Sequence, residues 1–222
     1  PHIFVPFSAA ELDKKRMNKY RLQEELGLPV TNSPMFSMVT RLVDQKGLDV
    51  LSIIMDEFLS MDVQLVILGT GESRYENMFR HYAWRFPEKA SANITFSANL
   101  AQQIYAASDI FMMPSVYEPC GLGQLFAMRY GTIPLVRKTG GLADTVKHFD
   151  RETKEGNGVV FEHYVASGMM WAIHQANELY HSSDWECLVK NAMLGDYSWH
   201  KAAGEYIDMY SQIKTGVKKP AK

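Results

Sequence analysis

SDIFMMPSVYEPCGLGQLFAMRYGTIPLVRKTGGLADT, residues 108–145, decides the fold. It opens with an apolar run, Ile110 to Met113, suited to a buried strand, and Pro114 stops it. A polar turn from Ser115 to Pro119 carries one carboxylate, Glu118. Gly121, Leu122 and Gly123 then lead into a helical pattern with apolar residues at Leu122, Leu125, Phe126 and Met128. Tyr130-Gly131 closes that helix as a C-cap. A second apolar strand runs from Ile133 to Val136, followed by a turn at Gly140-Gly141. In strand–turn–helix–strand units, ligands bind at the carboxyl ends of parallel strands, where helix N-termini offer free N–H groups to anions. The turn from Glu118 to Gly123 is therefore a candidate anionic-ligand site.

Outward from this stretch the same alternation repeats. Met35 to Thr40, Val63 to Leu68 and Asn93 to Phe96 read as strands before it, the strand that opens it extends over Asp109 to Met113, and Gly158 to Phe161 reads as one after it. Between them lie an apolar stripe at Leu48, Leu51, Ile54, Met55, Phe58 and Leu59, a polar helix from Glu72 to Phe86 and a short helix from Leu100 to Ala107. Ala9 to Leu26 is charged and helix-prone, and Gly27-Leu28-Pro29 ends it. From Val165 the chain is helical, with stripes at Met169, Ile173, Ala176 and Tyr180 and at Trp199, Ala202, Tyr206, Met209 and Ile213. No repeat is present. The pattern predicts an α/β fold: a Rossmann-like, doubly wound parallel sheet of about six strands with C-terminal helices.

Composition narrows the function. Across 222 residues, 46% are hydrophobic and 22% charged, as in an ordinary globular domain. A net charge of −2 gives no electrostatic reason to expect a nucleic-acid or anionic-membrane partner. No apolar run is long enough to span a bilayer. Two cysteines, Cys120 and Cys187, form neither metal spacing nor a disulfide framework, so a reduced, cytoplasmic setting is expected. The chain opens on Pro1 rather than Met and reads as a fragment or processed form.

Each candidate residue carries a bland alternative. Gly69-Thr70-Gly71 after a strand resembles the start of a dinucleotide fingerprint, but Arg74 stands where the third glycine belongs; a tight strand-to-helix turn is the alternative. Arg41 and Lys46 flank a loop at a strand's carboxyl end, where a guanidinium fork and an ammonium could reach a pyrophosphate, or simply be solvated. Glu118 could bind sugar hydroxyls and offset positive charge on a glycosyl carbon, or cap the following helix. Cys120, with no nearby histidine, reads as a small buried spacer rather than a nucleophile. Phe96, Tyr105 and Tyr117 could stack on a base, though aromatics in such domains are more often core. Trp171, Trp185 and Trp199 read as helix packing.

Taken in order, these pieces resemble one family. The run Val39-Thr40-Arg41-Leu42 with Gln45-Lys46-Gly47-Leu48-Asp49, then Leu68-Gly69-Thr70-Gly71, then Tyr117-Glu118-Pro119-Cys120-Gly121-Leu122-Gly123-Gln124-Leu125 and Thr139-Gly140-Gly141-Leu142-Ala143-Asp144-Thr145-Val146 is similar to the C-terminal half of bacterial glycogen synthases and plant starch synthases. The resemblance covers residues from Pro1 to about Ile213. It implies a GT-B glycosyltransferase that moves glucose from ADP-glucose to the non-reducing end of an α-1,4-glucan, with retention and without metal or cofactor. It assigns Arg41 and Lys46 to the donor phosphates, the backbone of Gly121, Leu122 and Gly123 to the distal phosphate, and Glu118 to glucose and the oxocarbenium-like state. Tyr117 and Cys120 fall in the substrate loop, Phe96 where an aromatic stacks on adenine, and Thr139 and Gly140 in the cleft floor. Phe126 stands where many GT-B enzymes carry a ribose-binding glutamate, which leaves ribose recognition unassigned.

The resemblance also divides the chain. It implies an interdomain lead-in over 1–34, a nucleotide-sugar-binding domain over 35–196 and, over 197–222, a crossover helix with a frayed tail. The family's own N-terminal GT-B domain has no counterpart in these residues, so the chain is expected to bind ADP-glucose or ADP without elongating glycogen. The crossover helix would then expose its apolar stripe. A non-catalytic nucleotide-sugar or glucan-binding module is the alternative, and a nicotinamide-dependent dehydrogenase half a more distant one.

Overall fold

The computed structural model describes residues 2–215. Six strands form one sheet: β1 (Met35–Val39), β2 (Gln64–Leu68), β3 (Ala90–Asn93), β4 (Ile110–Met113), β5 (Ile133–Arg137) and β6 (Val159–Phe161). The helices are α1 (Leu12–Glu25), α2 (Leu48–Ser60), α3 (Ser73–Arg85), α4 (Ala98–Ala107), α5 (Gly123–Arg129), α6 (Gly140–Thr145), α7 (Ala166–Tyr180), α8 (Trp185–Leu194) and α9 (Trp199–Thr215). The spatial order is β3-β2-β1-β4-β5-β6, and every pairing is parallel. The order reverses between β1 and β4, which makes their carboxyl ends the topological switch point where open α/β sheets bind ligands.

Side chains alternate across the sheet and are buried on both faces, as the near-continuous apolar runs require. Phe36, Met38, Leu65, Ile67, Ile110 and Met112 face one way, into a core shared with α2 and α7, where Phe36 meets Phe58 edge-on at 5.0 Å. Met35, Val66 and Leu68 face the other way, against Leu22 of α1 and Ile104 of α4. Tyr105 belongs to the core as the sequence suggests, packing on Phe111 at 5.0 Å.

Several elements depart from the sequence reading. The third strand lies at Ala90–Asn93, not at Asn93 to Phe96. It is an edge strand, and its small, polar ASAN sequence lacks the apolar signature that drew attention to Ile94 and Phe96 instead. The Gly140-Gly141 turn begins a short helix, α6. The helical tail contains α8 as a separate element between the two recognised stripes. Trp185 packs on Tyr180 at 5.0 Å, and Trp171 stacks on His148 while half-exposed. Trp199 is 90% exposed, so helix packing does not account for it; Tyr206, Tyr210 and Ile213 of α9 are exposed with it. The frayed tail expected from residue 215 onward falls almost wholly outside the described residues.

The polar helix α1 lies against the sheet rather than trailing from it. Lys15 donates to Ala106 O, Ser108 O and Thr132 Oγ1 at 2.8–3.0 Å, and burial pushes its ammonium pKa down to about 7. Lys19 is paired with Asp109 at 2.7 Å, both deeply buried, and Asp109 also accepts the Met35 N–H at 2.8 Å. These contacts tie α1 to the amino ends of β1 and β4.

At the opposite rim, backbone strands approach closely at glycines. Gly47 has φ +76°, and a Cβ there would lie 2.2 Å from Pro114 O. Replacing Gly47 with alanine combines a left-handed backbone with a clash against main chain, and is expected to cost at least ~2 kcal/mol. Urea unfolding of the variant checks this; an unchanged midpoint would refute the close approach.

Candidate functional site

The loops leaving β1 and β4 meet at the switch point. After β1, Thr40 N–H and Leu42 N–H extend the ladder to Leu68 O at 3.0 Å and Thr70 O at 2.9 Å. Arg41, between them, projects an exposed side chain that makes no ion pair or hydrogen bond among the described residues. A single 3₁₀ turn, Asp44–Lys46, follows, and left-handed Gly47 starts α2. That turn brings the Lys46 ammonium to Glu118, on the loop after β4. Lys46 Nζ donates to Glu118 Oε2 at 2.6 Å, with side-chain exposures of 16% and 12%. Ser115 Oγ donates to the same oxygen at 3.3 Å.

This pairing removes the helix-cap reading of Glu118. The residue before α5 is Leu122, and no side chain caps that helix. Glu118 is held by Lys46 and Ser115 instead. At the start of α5 the first i→i−4 bond is Phe126 N–H to Leu122 O, so the amides of Gly123, Gln124 and Leu125 precede it and point out of the helix end. At its end, Gly131 at φ +64° gives the paired closure of a Schellman cap, with Thr132 N–H on Ala127 O and Gly131 N–H on Met128 O, both at 2.9 Å.

Of the remaining named residues, Gly140 and Gly141 touch the Glu118 backbone, whereas Phe96 follows the edge strand β3. Gly140, at φ +45°, lies so close to Glu118 O that a Cβ would approach to 2.1 Å, and Gly141 N–H donates to that same oxygen at 3.0 Å. Thr139 is the extended residue that opens α6 there. Tyr117 is 55% exposed and Phe96 89% exposed, so neither belongs to the core; Phe96 lies on the loop after β3. Cys120 is exposed, not the buried spacer its size suggested. Its backbone carries the packing, since a Cβ on Gly141 would meet Cys120 O at 2.3 Å, and the thiol is left at the open rim.

Gly69 and Gly71 answer to a different demand from a pyrophosphate cradle. A Cβ at either would meet the facing backbone, at 1.8 Å from Thr40 O and 2.2 Å from Leu42 O. The Gly71 N–H is taken by Glu76 Oε1 of α3 at 3.0 Å. The glycines let two chains run side by side, and the dinucleotide reading loses its basis.

Three further residues, given no role by residue pattern, hold the loops of the site. Gln45 Nε2 donates to Tyr117 O at 3.0 Å, while Gln45 O accepts Val116 N–H at 2.9 Å. Arg137, at the end of β5, donates through Nε to Ser115 O at 2.9 Å and through its terminal nitrogen to Val116 O. Buried Gln124 donates to Cys120 O, Gly121 O and Thr145 Oγ1 at 3.0–3.2 Å. A cation at a strand's carboxyl end was the only available signal for Arg137.

A cavity of about 580 Å³ opens at the other end of the sheet, lined by Lys15, Lys19, Asp109, Tyr180 and Trp185 among others. Its buried cations already donate all their protons: Lys15 to three oxygens, and Lys19 to Ser33 O, Asp109 and Tyr180. The rim at β1 and β4 is therefore the stronger candidate. Among the described residues no group of three His, Cys, Asp or Glu is placed to hold a metal ion, and no helix is long and apolar enough to cross a membrane.

Comparison with known proteins bears on the fold and the family. The chain is 52% identical over 218 residues to the glycogen synthase of Fervidobacterium nodosum, covering 98% of this chain and 45% of that protein. It is 54% identical over 210 residues to the glycogen synthase of Kosmotoga olearia, covering 94% of this chain and 44% of that one. The chain thus spans less than half the length of these relatives. Among solved structures, the catalytic domain of starch synthase IV from Arabidopsis thaliana, bound to ADP and acarbose, superposes with a TM-score of 0.87 at 34% identity, over 96% of this chain and 45% of that one. The sheet order and flanking helices are those of a Rossmann-like half of the GT-B fold, as in that domain. The model of the glycosyl transferases group 1 family matches residues 22–184, spanning β1 through α7 with both loops of the switch point, and on that match the chain belongs to this family.

Proposed function

We propose that the chain is the donor-binding domain of a retaining glucosyltransferase that moves glucose from ADP-glucose to the non-reducing end of an α-1,4-glucan, as in glycogen synthesis. The observation that carries the reading is the Lys46–Glu118 pair at the switch point, beside the outward amides of α5. Arg41 and Lys46 neutralise the diphosphate, and the Gly121–Gly123 backbone donates to the distal phosphate. Glu118, fixed by Lys46 and Ser115, lies next to the glucose and stabilises the positive charge that develops at the anomeric carbon. No metal or cofactor is part of this scheme, because the two cations and the amides supply the charge compensation. Phe96, exposed at the same rim, stacks on adenine; Tyr117, Cys120, Thr139 and Gly140 shape the wall around the sugar. The similarity to a starch synthase structure solved with ADP supports the nucleotide assignment.

The glucan acceptor and a second GT-B domain across the cleft complete the reaction, and the exposed stripe of α9 is the surface that reaches that domain. A cytoplasmic setting belongs to the same reading. Acceptor positioning contributes a large part of the rate in two-substrate transfer. This 222-residue chain is therefore expected to bind ADP and ADP-glucose but to add no labelled glucose to glycogen. Isothermal titration checks the first half: no heat and no thermal shift at millimolar ADP would refute it. Incorporation of label by the purified chain would refute the second.

A further inference from the structure

We propose that Arg137 is a positioning residue that fixes the Ser115–Glu118 loop for recognition of the sugar half of the donor. The proposal rests on the donor-site reading above. The loop is neither helix nor strand, yet four successive carbonyls each accept a bond from another element. Arg137 holds Ser115 O and Val116 O, Gln45 holds Tyr117 O, and Gly141 N–H holds Glu118 O. Arg137 supplies two of the four through one planar fork, which a lysine point charge cannot reproduce.

The fork is itself braced. Its guanidinium lies 5.6 Å from the ring centroid of Tyr164, within the range of a cation–π contact. The Tyr164 hydroxyl donates to Asp49 at the start of α2. Asp49 follows Gly47 and Leu48, directly after the turn that carries Gln45 and Lys46. The contacts therefore close a circuit from α2 through Tyr164 and Arg137 to the loop, and back through Gln45. Arg137 has no bond to Glu118 or Lys46, so it acts on the site through the backbone alone.

The consequence separates the two halves of the donor. Diphosphate recognition rests on Arg41, Lys46 and α5 amides, none of which Arg137 touches. Sugar recognition depends on where the loop holds Tyr117 and Glu118. In Arg137→Gln and Arg137→Lys variants, ADP-glucose affinity is expected to fall roughly tenfold, with ADP affinity within about twofold of wild type, since displacements of about 1 Å weaken recognition strongly. Hydrogen–deuterium exchange across residues 114–122 is expected to accelerate in both variants. Wild-type exchange and wild-type ADP-glucose affinity in Arg137→Lys would overturn the proposal, because charge alone would then suffice. Equal losses of ADP and ADP-glucose affinity together with a lowered Tm would also overturn it, by reducing Arg137 to a general stabiliser. If the wild-type chain binds neither ligand while the variants still accelerate exchange at 114–122, the brace stands and the donor reading fails.

Discussion

Replacing Asp109 with alanine should produce the largest loss of stability of any single substitution considered for this chain. The carboxylate sits between the Lys19 ammonium at 2.7 Å and the Met35 N–H at 2.8 Å, and its removal strands both. Burial alone would drive the Lys19 pKa down; Asp109 and Tyr180 outweigh it and leave the pKa raised above its ordinary 10.5. Breaking one side of such a buried pair costs about 3–5 kcal/mol. For a domain of this size that is a fall in Tm of roughly 10 °C or more. Calorimetry should show it, and Asp109→Asn, which keeps an acceptor for Met35, should lose less. The linkage follows from the raised pKa: the contribution from Lys19 is fully present below pH 10.5 and is lost as pH rises through the folded-state value. A variant as stable as wild type would mean that α1 is not tied to the sheet by this pair.

Substituting Lys46 with alanine should have the largest effect on ligand binding. It removes a cation assigned to the diphosphate and leaves Glu118, 12% exposed, without its cationic partner. The abandoned carboxylate then repels the incoming anion. Truncating one member of a hydrogen-bonded charge pair in a binding site costs about 2–5 kcal/mol, so ADP affinity should drop by about a hundredfold or more. The Lys46→Ala/Glu118→Ala double variant should recover part of that loss, because the repulsion goes with the carboxylate. A nonzero coupling energy in the cycle is the signature sought. Additive single and double effects, or a Lys46→Ala chain that binds ADP like wild type, would remove the pair from the site.

Much of this was legible in the sequence, and the illegible parts share a cause. The strands β1, β2, β4 and β5 carry near-continuous apolar runs, since both faces of a parallel sheet are covered. β3 is small and polar because it lies at the edge, and so its apolar neighbours drew the boundary three residues late. The depth of α1 in the fold was hidden by lysines that a polar pattern assigns to solvent; Lys15 and Lys19 are buried because their ammonium groups satisfy carbonyls, a hydroxyl and a carboxylate across the sheet. At the site, Lys46, Glu118 and the glycine turn were visible as charges and punctuation at strand ends. Gln45, Gln124 and Arg137 were not, because they bond to backbone carbonyls, which every residue possesses and no pattern of residue types announces.

If the rim takes the donor as proposed, its glycine contacts also set the terms for redesigning donor choice. Gly47 against Pro114, Gly69 against Thr40, Gly71 against Leu42, Gly140 against Glu118 and Gly141 against Cys120 leave no room for a single extra carbon. An engineer who randomised these five would collect misfolded chains rather than new specificities. The adjustable positions are the side chains hung on that lattice and open to solvent, Phe96, Tyr117, Cys120 and Leu122, and a library confined to them could explore other nucleobases and sugars while the scaffold stays put.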